Sequence, residues 1–295
     1  MTSVEVLAPG ALTTIQDLGR PGWAHIGVPR SGAADRPALR IANRLVGNAD
    51  GAAALETTLS GPRLRFDGAA ELALTGAPVG ARIAGRAVPM NHAFEVEAGE
   101  ELKLAVARAG LRTYIAVRGG IVAPLALGSA ATDILTGLGP APLAAGDVLE
   151  VGPARSRVEA EGGDGRPIWS PAPSPPPPVG LPDSLLRVIV GPRSDWFTAD
   201  SIKRLFSEPF GVDQASNRIG IRLTGQAFER ARSGELPSEG LVPGAIQVPT
   251  DGQPIMLLAD HPTTGGYPVI AVVHSDDLPL AAQLRPGQHL RFVAA

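Results

Sequence analysis

The sequence predicts a mainly β protein with a few helices, built as barrels or sandwiches in two domains. Three observations carry this. Short apolar runs with period-two alternation recur along the 295 residues, 36 glycines and 29 prolines punctuate them, and one proline-rich stretch, Ser170–Pro182, interrupts the chain. The proline run favours extended polyproline backbone and cannot sit inside a sheet. Just before it, Glu159–Gly165 is polar and glycine-rich. The division is therefore 1–165, a linker over 166–183, and 184–295, a length sufficient for two ordinary cores.

In chain order, strands are expected at Val4–Leu7, Leu64–Phe66, Glu71–Thr75, Thr113–Val117 and Leu186–Val190. A glycine turn feeding an alternating strand occurs three times, at Ala98–Leu104, Ala145–Val151 and Pro286–Phe292. Glycine takes the turn conformation and alternation buries one strand face, so the recurrence suggests related halves. Two helices interrupt the pattern. Asp35 caps one through about Val46, with Pro37 in its first turn and Leu39, Ile41, Ala42 and Leu45 as its apolar face. Ser194 or Asp195 begins the other, through about Phe206, burying Phe197, Ile202 and Leu205. A helix closing the end of a β-barrel would account for each.

A net charge of −3 and a pI near 6.0 leave no basic footprint for nucleic acid or an anionic membrane. The absence of cysteine excludes disulfides, thiolate nucleophiles and thiolate metal sites. Met1–Glu5 has no basic region or apolar run of a signal peptide, and no stretch approaches the about 20 apolar residues of a membrane span. A soluble cytoplasmic protein is expected.

Several chemistries are missing. There is no G-x-x-x-x-G-K-[ST] and no G-x-S-x-G. The only lysines, Lys103 and Lys203, lie on an apparent strand and an apparent helix, away from any Ser/Gly-rich loop, which excludes an amidase of the Ser-Ser-Lys type. No Ala-Met-Lys-Met sequence offers a biotin attachment lysine. The five histidines, His25, His92, His261, His274 and His289, form no i,i+4 pair, and no metal site is expected.

Three polar clusters remain. The first is Gln16–Arg20 with Ser31–Arg36, in which Gln16, Arg20, Asp35 and Arg36 offer amide, carboxylate and guanidinium groups. Arg20 or Arg36 could grip a carboxylate or phosphate bidentately; equally, Asp35 could be an N-cap and Asp17–Arg20 a surface pair. The second is Gln214–Gly220, where Asn217 and Arg218 form either a solvated turn or a ligand contact. The third combines Pro237–Gln253 with Asp260–Tyr267. It holds Ser238, Glu239, Gln247, Asp251, Gln253, Asp260, His261, Thr263, Thr264 and Tyr267. Glu239 or Asp260 could act as a general base if burial raises its pKa. Within this cluster the turn Asp260–Pro268 lies between the apolar runs Ile255–Ala259 and Val269–Val273. On pattern alone it reads as a hairpin whose Gly265 and Gly266 supply positive φ, or as a loop for a small polar ligand.

The same turn carries a resemblance that continues along most of the chain. With it go Leu12–Val28 (LTTIQDLGRPGWAHIGV), Ser31–Arg36 (SGAADR), Ala42–Asn48 (ANRLVGN), Ala54–Glu56, Tyr114–Ile121 (YIAVRGGI), Val190–Pro192 and Ser216–Gly220 (SNRIG). Together they resemble the biotin-dependent carboxyltransferase-like family. That family includes the C subunit of the bacterial ATP-dependent 5-oxoprolinase, KipA-type proteins, members labelled allophanate hydrolase subunit 2, and part of the carboxyltransferase region of urea carboxylase.

The resemblance implies two tandem cyclophilin-like β-barrel domains. It implies a component that opens 5-oxoproline to glutamate with ATP, its Mg counter-ion and partner A and B subunits, the B-like (KipI-like) chain joining in a hetero-complex of two copies each. The third cluster would line the site, with Arg20, Asn217 and Arg218 in support. Two other activities are implied by other members: carboxyl transfer from carboxybiotin on a separate carrier, and regulation through a KipI-like kinase inhibitor. The match has one departure. The family resembled more often has the turn Ala-Asp-Arg-Gln-Thr-Thr-Gly-Gly-Tyr-Pro-Lys, whereas here His261-Pro262 and Val269 stand in place of Arg-Gln and Lys, removing two permanent cations.

Overall fold

The computed structural model describes residues 2–154, 183–234 and 236–295. Most of the proline-rich linker and the polar stretch before it lie outside the described residues. The chain divides into two compact units. Of the described residues, the first takes 2–19, 35–133 and 137–154, and the second takes 20–34, 134–136 and 183–295. Two short stretches of the N-terminal half thus group with the C-terminal one.

In the first unit the strands form two sheets around one core. The seven-stranded sheet runs in the order Ile121–Val122, Val148–Val151, Ser3–Ala8, Arg63–Phe66, Glu101–Leu104, Ala81–Ile83, Arg86–Val88. The five-stranded sheet runs Leu12–Gln16, Ala54–Thr58, Arg112–Val117, Ala70–Gly76, Ala93–Val96. Val4, Leu64 and Phe66 from one meet Leu72, Leu74 and Ile115 from the other, all fully buried. This half is therefore a pair of open sheets and not a second closed barrel.

Arg112–Val117 is the middle strand of its sheet and is buried along its whole length. Ile115 and Val117 point into the core. Period-two alternation sends Tyr114 and Ala116 to the opposite face. That face is covered by helix α1, Arg36–Leu45. Asp35 caps α1 as expected, accepting from the Ala38 amide at 3.1 Å, and Leu39 and Ala42 are its buried contacts. The helix covers an open sheet, so the expectation that it closes a barrel end is replaced. A polar connection fixes its entry angle: the Tyr114 hydroxyl donates to Glu56 Oε2 at 2.6 Å and accepts from the Asp35 amide at 2.8 Å. Burial, reinforced by the Glu56 carboxylate, pushes the Tyr114 phenol well above the ordinary tyrosine range.

The second unit is a closed barrel. Its strands run Asp183–Val190, Val269–Val273, Ala245–Gln247, Ile255–Leu257, Gly220–Thr224, Phe210–Val212 and His289–Ala294, and the last pairs with the first in parallel. Leu186, Ile246, Ile270, Leu290 and Phe292 are fully buried in its core. An aromatic chain extends that core, with ring centroids 5.5 Å apart for Phe210–Phe292 and 5.7 Å for Phe210–Phe228.

Helix α2, Ala199–Ser207, packs on the strand His289–Ala294 and buries Leu205. It begins later than the sequence suggested. Ser194–Trp196 is a 3-10 turn, Phe197 is extended, and the Thr198 hydroxyl makes the cap by accepting from the Ser201 amide at 3.2 Å. A short third helix, α3, Leu278–Ala281, was not anticipated; at 4 residues it leaves no periodicity to read.

The three glycine turns are present. Gly99, Gly146 and Gly287 have φ of 84°, 92° and 84°, and a strand follows each. Among the described residues no helix is long and apolar enough to cross a membrane.

Tyr114→Phe removes one donor and one acceptor from two buried partners. It is expected to cost about 2–3 kcal/mol of stability, read by urea unfolding of the full chain. A cost below about 0.5 kcal/mol would show that the Glu56 and Asp35 contacts do not matter to α1 docking.

Candidate functional site

Arg218 and Asp260 sit at neighbouring strand ends of the second unit, where the Leu258 amide donates to Ile219 O at 2.9 Å and the Asp260 amide to Arg218 O at 3.0 Å. Their side chains meet in a forked ion pair, Nε–Oδ2 at 2.8 Å and Nη2–Oδ1 at 3.0 Å, with 1% and 0% exposure. The same guanidinium donates to Gly32 O at 2.7 Å. The carboxylate accepts further from the Ser31 hydroxyl at 2.6 Å and the Ile134 amide at 3.2 Å. Four donors thus occupy a group with about four lone-pair sites. Asp260 meets the burial expected of a general base, but it has no acceptor left for a substrate proton. Arg218 is the core of a clasp and not part of a solvated turn. Beside it, Asn217 makes that turn by accepting from the Ile219 amide at 2.8 Å.

Glu239 also departs from the general-base expectation. It is one-third exposed and paired with Arg193 through both carboxylate oxygens. The hydrogen bond from Arg193 holds its carboxyl below the ordinary glutamate range, opposite to what a raised base requires.

The turn after Asp260 is not a hairpin. The strand Ala245–Gln247 lies between Ile255–Leu257 and Val269–Val273 and pairs with both. The loop instead folds back so that Thr264–Gly265 pairs with Glu239–Gly240, and Leu241 N donates to Thr263 O at 2.9 Å. Gly265 and Gly266 do not adopt positive φ. Gly265 packs closely: a Cβ there would stand 2.7 Å from Gln247 Nε2 and 2.9 Å from Leu241 Cδ1, so these side chains would have to shift. Gln247, nearly buried, donates to Tyr267 O at 3.1 Å and so positions the next residue.

Tyr267, 48% exposed, stands on the wall of a cleft of about 600 Å³. Arg222, Ile255, Asp251, Gln253 and Asp213 line the same cleft. Arg222 lies directly across the strand pair from Ile255. Among the described residues it makes no ion pair, although two carboxylates share the cleft. Each of those is turned on its own loop: Asp251 accepts from the Gln253 amide at 3.0 Å and Asp213 from the Ala215 amide at 2.8 Å. Gln253 is held by both ends of its amide on Gly225, at 3.3 and 3.2 Å.

The third cluster therefore splits by role. Asp251, Gln253 and Tyr267 reach the cleft, Gln247 and Gly265 position its wall, and Asp260 and Glu239 are committed to arginines. Ser238, Thr264 and Gly266 are exposed, and Thr263 is half-buried. His261 is buried with Nδ1 2.7 Å from Pro262 O. Val269 is buried in a small apolar cluster with Ala245 and Leu257. The first cluster divides as well. Gln16, Asp35 and Arg36 belong to the first unit and Arg20, itself buried, to the second. Gln16 donates to Thr14 Oγ1 and Thr132 O at 3.0 and 2.9 Å.

Sequence reasoning missed Arg222 and Asp213. The one available signal was a charged residue inside the alternating run Gly220–Thr224, whose outward face becomes a cleft wall only once its partner strand is known. Both lysines are exposed, and no cluster of three metal-ligating side chains occurs among the described residues.

A family model described as carboxyltransferase domain, subdomain A and B, matches residues 26–294. The chain is 39% identical over 294 residues to the C subunit of 5-oxoprolinase from Escherichia coli (strain K12), covering 98% of this chain and 90% of that protein. The crystal structure of TTHA0988 superposes with a TM-score of 0.86 at 35% identity, over 100% of this chain and 56% of that one, so this chain spans little more than half of it. The K. lactis urea amidolyase structure superposes with a TM-score of 0.88 at 33% identity, over 99% of this chain and 18% of that one.

Two outcomes are expected from the geometry. Arg218→Met strands a buried carboxylate and should cost about 3–5 kcal/mol in urea unfolding, while the double variant with Asp260→Leu recovers much of the loss. Equal losses in both would mean the charge is not what matters. Glu239, with its lowered folded pKa, contributes stability that is present above the ordinary glutamate value and disappears as pH falls through the depressed one. A carboxyl-carbon NMR titration should place its midpoint below the ordinary value, and Arg193→Gln should raise it; a midpoint insensitive to that change would refute the pairing.

Proposed function

This chain belongs to the family of carboxyltransferase domains, subdomains A and B, and from that premise we infer that it is the C subunit of a 5-oxoprolinase, one component of an enzyme complex. The observation that carries this is the end-to-end correspondence with a stand-alone C subunit, which this chain matches over nine-tenths of that protein's length. The cleft supports it with chemistry suited to a small cyclic amide: an arginine, acceptor carboxylates and a phenol at a wall of Ile255.

The reaction opens the lactam of 5-oxoproline to glutamate while ATP becomes ADP and phosphate. The phosphoryl group passes from ATP to the lactam oxygen, one water breaks the ring C–N bond to give an acyl phosphate, and a second water displaces phosphate, which carries the former lactam oxygen away. A lactam is a poor electrophile, and transferring phosphate to its oxygen makes that oxygen a leaving group. ATP, with Mg as its counter-ion, is used at the level of the complex, consistent with the missing P-loop in this chain. Its partners are the A and B subunits, the B-like chain in a hetero-complex of two copies of each, the commonest symmetric closure, burying about 1,600 Å² or more per stable contact. The location is cytoplasmic. Tandem cyclophilin-like domains are the finer fold reading; the closed barrel of the second unit supports it, while the two open sheets of the first depart from barrel closure.

A second reading, carboxyl transfer from a separate biotin carrier, is favoured by the equally good superposition on urea amidolyase. The two separate cleanly. With purified A and B subunits, ATP-dependent release of glutamate from 5-oxoproline is expected only when this chain is added. Equal turnover without it refutes the reading; carboxylation of an amide or urea nitrogen with a carboxybiotin carrier, and no lactam opening, establishes the second.

A further inference from the structure

We propose that Arg222 is the carboxylate anchor of the cleft, so that the site selects a cyclic amide bearing a carboxylate over a neutral amide. The substrate's identity rests on the function inferred above; the anchoring role rests on the cleft itself.

Several arginines of this unit spend their charge on an acid. Arg187 pairs with Asp277, Arg193 with Glu239, Arg204 with Asp200, Arg218 with Asp260 and Arg232 with Asp195. Arg222 alone of the cleft-lining groups is a cation, and among the described residues it has no ion-pair partner. Two acids close enough to share its cleft do not neutralise it, because Asp213 and Asp251 are held by the amides of their own turns. A guanidinium exposed in a concave, partly apolar site binds a carboxylate through two parallel hydrogen bonds, a geometry lysine does not reproduce.

The rest of the lining completes the match. Each turn-held carboxylate keeps one oxygen outside its turn bond and can accept the amide N–H of a ligand. The Tyr267 hydroxyl can donate to its carbonyl. Ile255 and Pro254 supply apolar wall for ring methylenes. The volume, about 600 Å³, suits a small ligand. A neutral cyclic amide, or urea, fills the same wall but leaves Arg222 without an anion. The cleft thereby favours a charged lactam over the substrate of a urea-carboxylating enzyme.

The test uses the assembled complex and this chain in full. Arg222 is exposed and unpaired, so Arg222→Gln should fold with an unchanged melting curve. The expected result is a KM for 5-oxoproline raised about 10- to 100-fold with kcat within about threefold, and an intermediate KM for Arg222→Lys. In parallel, calorimetry on the complex should show 5-oxoproline binding at least about tenfold more tightly than pyrrolidin-2-one, which lacks the carboxylate, and this preference should vanish in Arg222→Gln. An unchanged KM, or a preference that survives the substitution, overturns the anchor while leaving the assigned function intact. If the wild-type complex does not turn over 5-oxoproline at all, the assigned function fails, and the binding comparison alone decides the anchor: preference lost on substitution supports it, no preference in the wild type refutes it.

Discussion

Burying Arg218 and Asp260 together removes two full charges from water, and the second unit is arranged around meeting that demand. Every remaining hydrogen-bonding direction of the pair has to be filled from somewhere, and the filling groups come from far along the chain: Ser31 and Ile134 donate to the carboxylate, and Gly32 O accepts from the guanidinium. This explains why 20–34 and 134–136 group with the C-terminal half. Ser31 and Gly32 sit at φ of 52° and 87°, which turns their hydroxyl and carbonyl onto the ion pair. A non-glycine residue in that region is held there only by strong surrounding contacts, and the buried carboxylate supplies them.

The same clasp fixes the next stretch of chain. Asp260 is anchored at the base of the turn, so the loop leaves the barrel at one defined point. Its return is fixed by the ribbon of Thr264–Gly265 with Glu239–Gly240, and by Gln247 beneath Tyr267. Arg193, on Glu239, ties the ribbon from the other side. Charges that look catalytic in the sequence thus serve to hold a loop, and the loop in turn presents Tyr267 to the cleft. The charge left over for a ligand is on an ordinary strand residue, Arg222, whose neighbours are committed elsewhere.

How far the site could be read in advance depended on the range of the interactions involved. Asp251, Gln253 and Tyr267 were legible because they sit in local turns rich in hydrogen-bonding groups. The roles of Glu239 and Asp260 were not, because a carboxylate's chemistry is set by its partner, and Arg193 and Arg218 lie 46 and 42 residues away. The hairpin expectation failed for a related reason. Two apolar runs around a Gly-rich turn normally pair with each other, but a third strand, Ala245–Gln247, offers both of them a better-buried partner.

The sequence by itself determined the elements whose causes are local: the strands with alternating burial, the three glycine turns, the helix capped by Asp35, and the absence of P-loop, serine-elbow and biotin-lysine chemistry. It also held the family resemblance, which is spread over motifs along the chain. Only the tertiary structure decided that the N-terminal half is a pair of sheets while the other half closes into a barrel, since closure depends on the parallel pairing of Asp183–Val190 with His289–Ala294, over 100 residues apart at their starts. It alone decided which charges are spent and which is available. Electrostatic and hydrogen-bond satisfaction are properties of groups brought together in space, and one-dimensional order records those groups without recording their meeting.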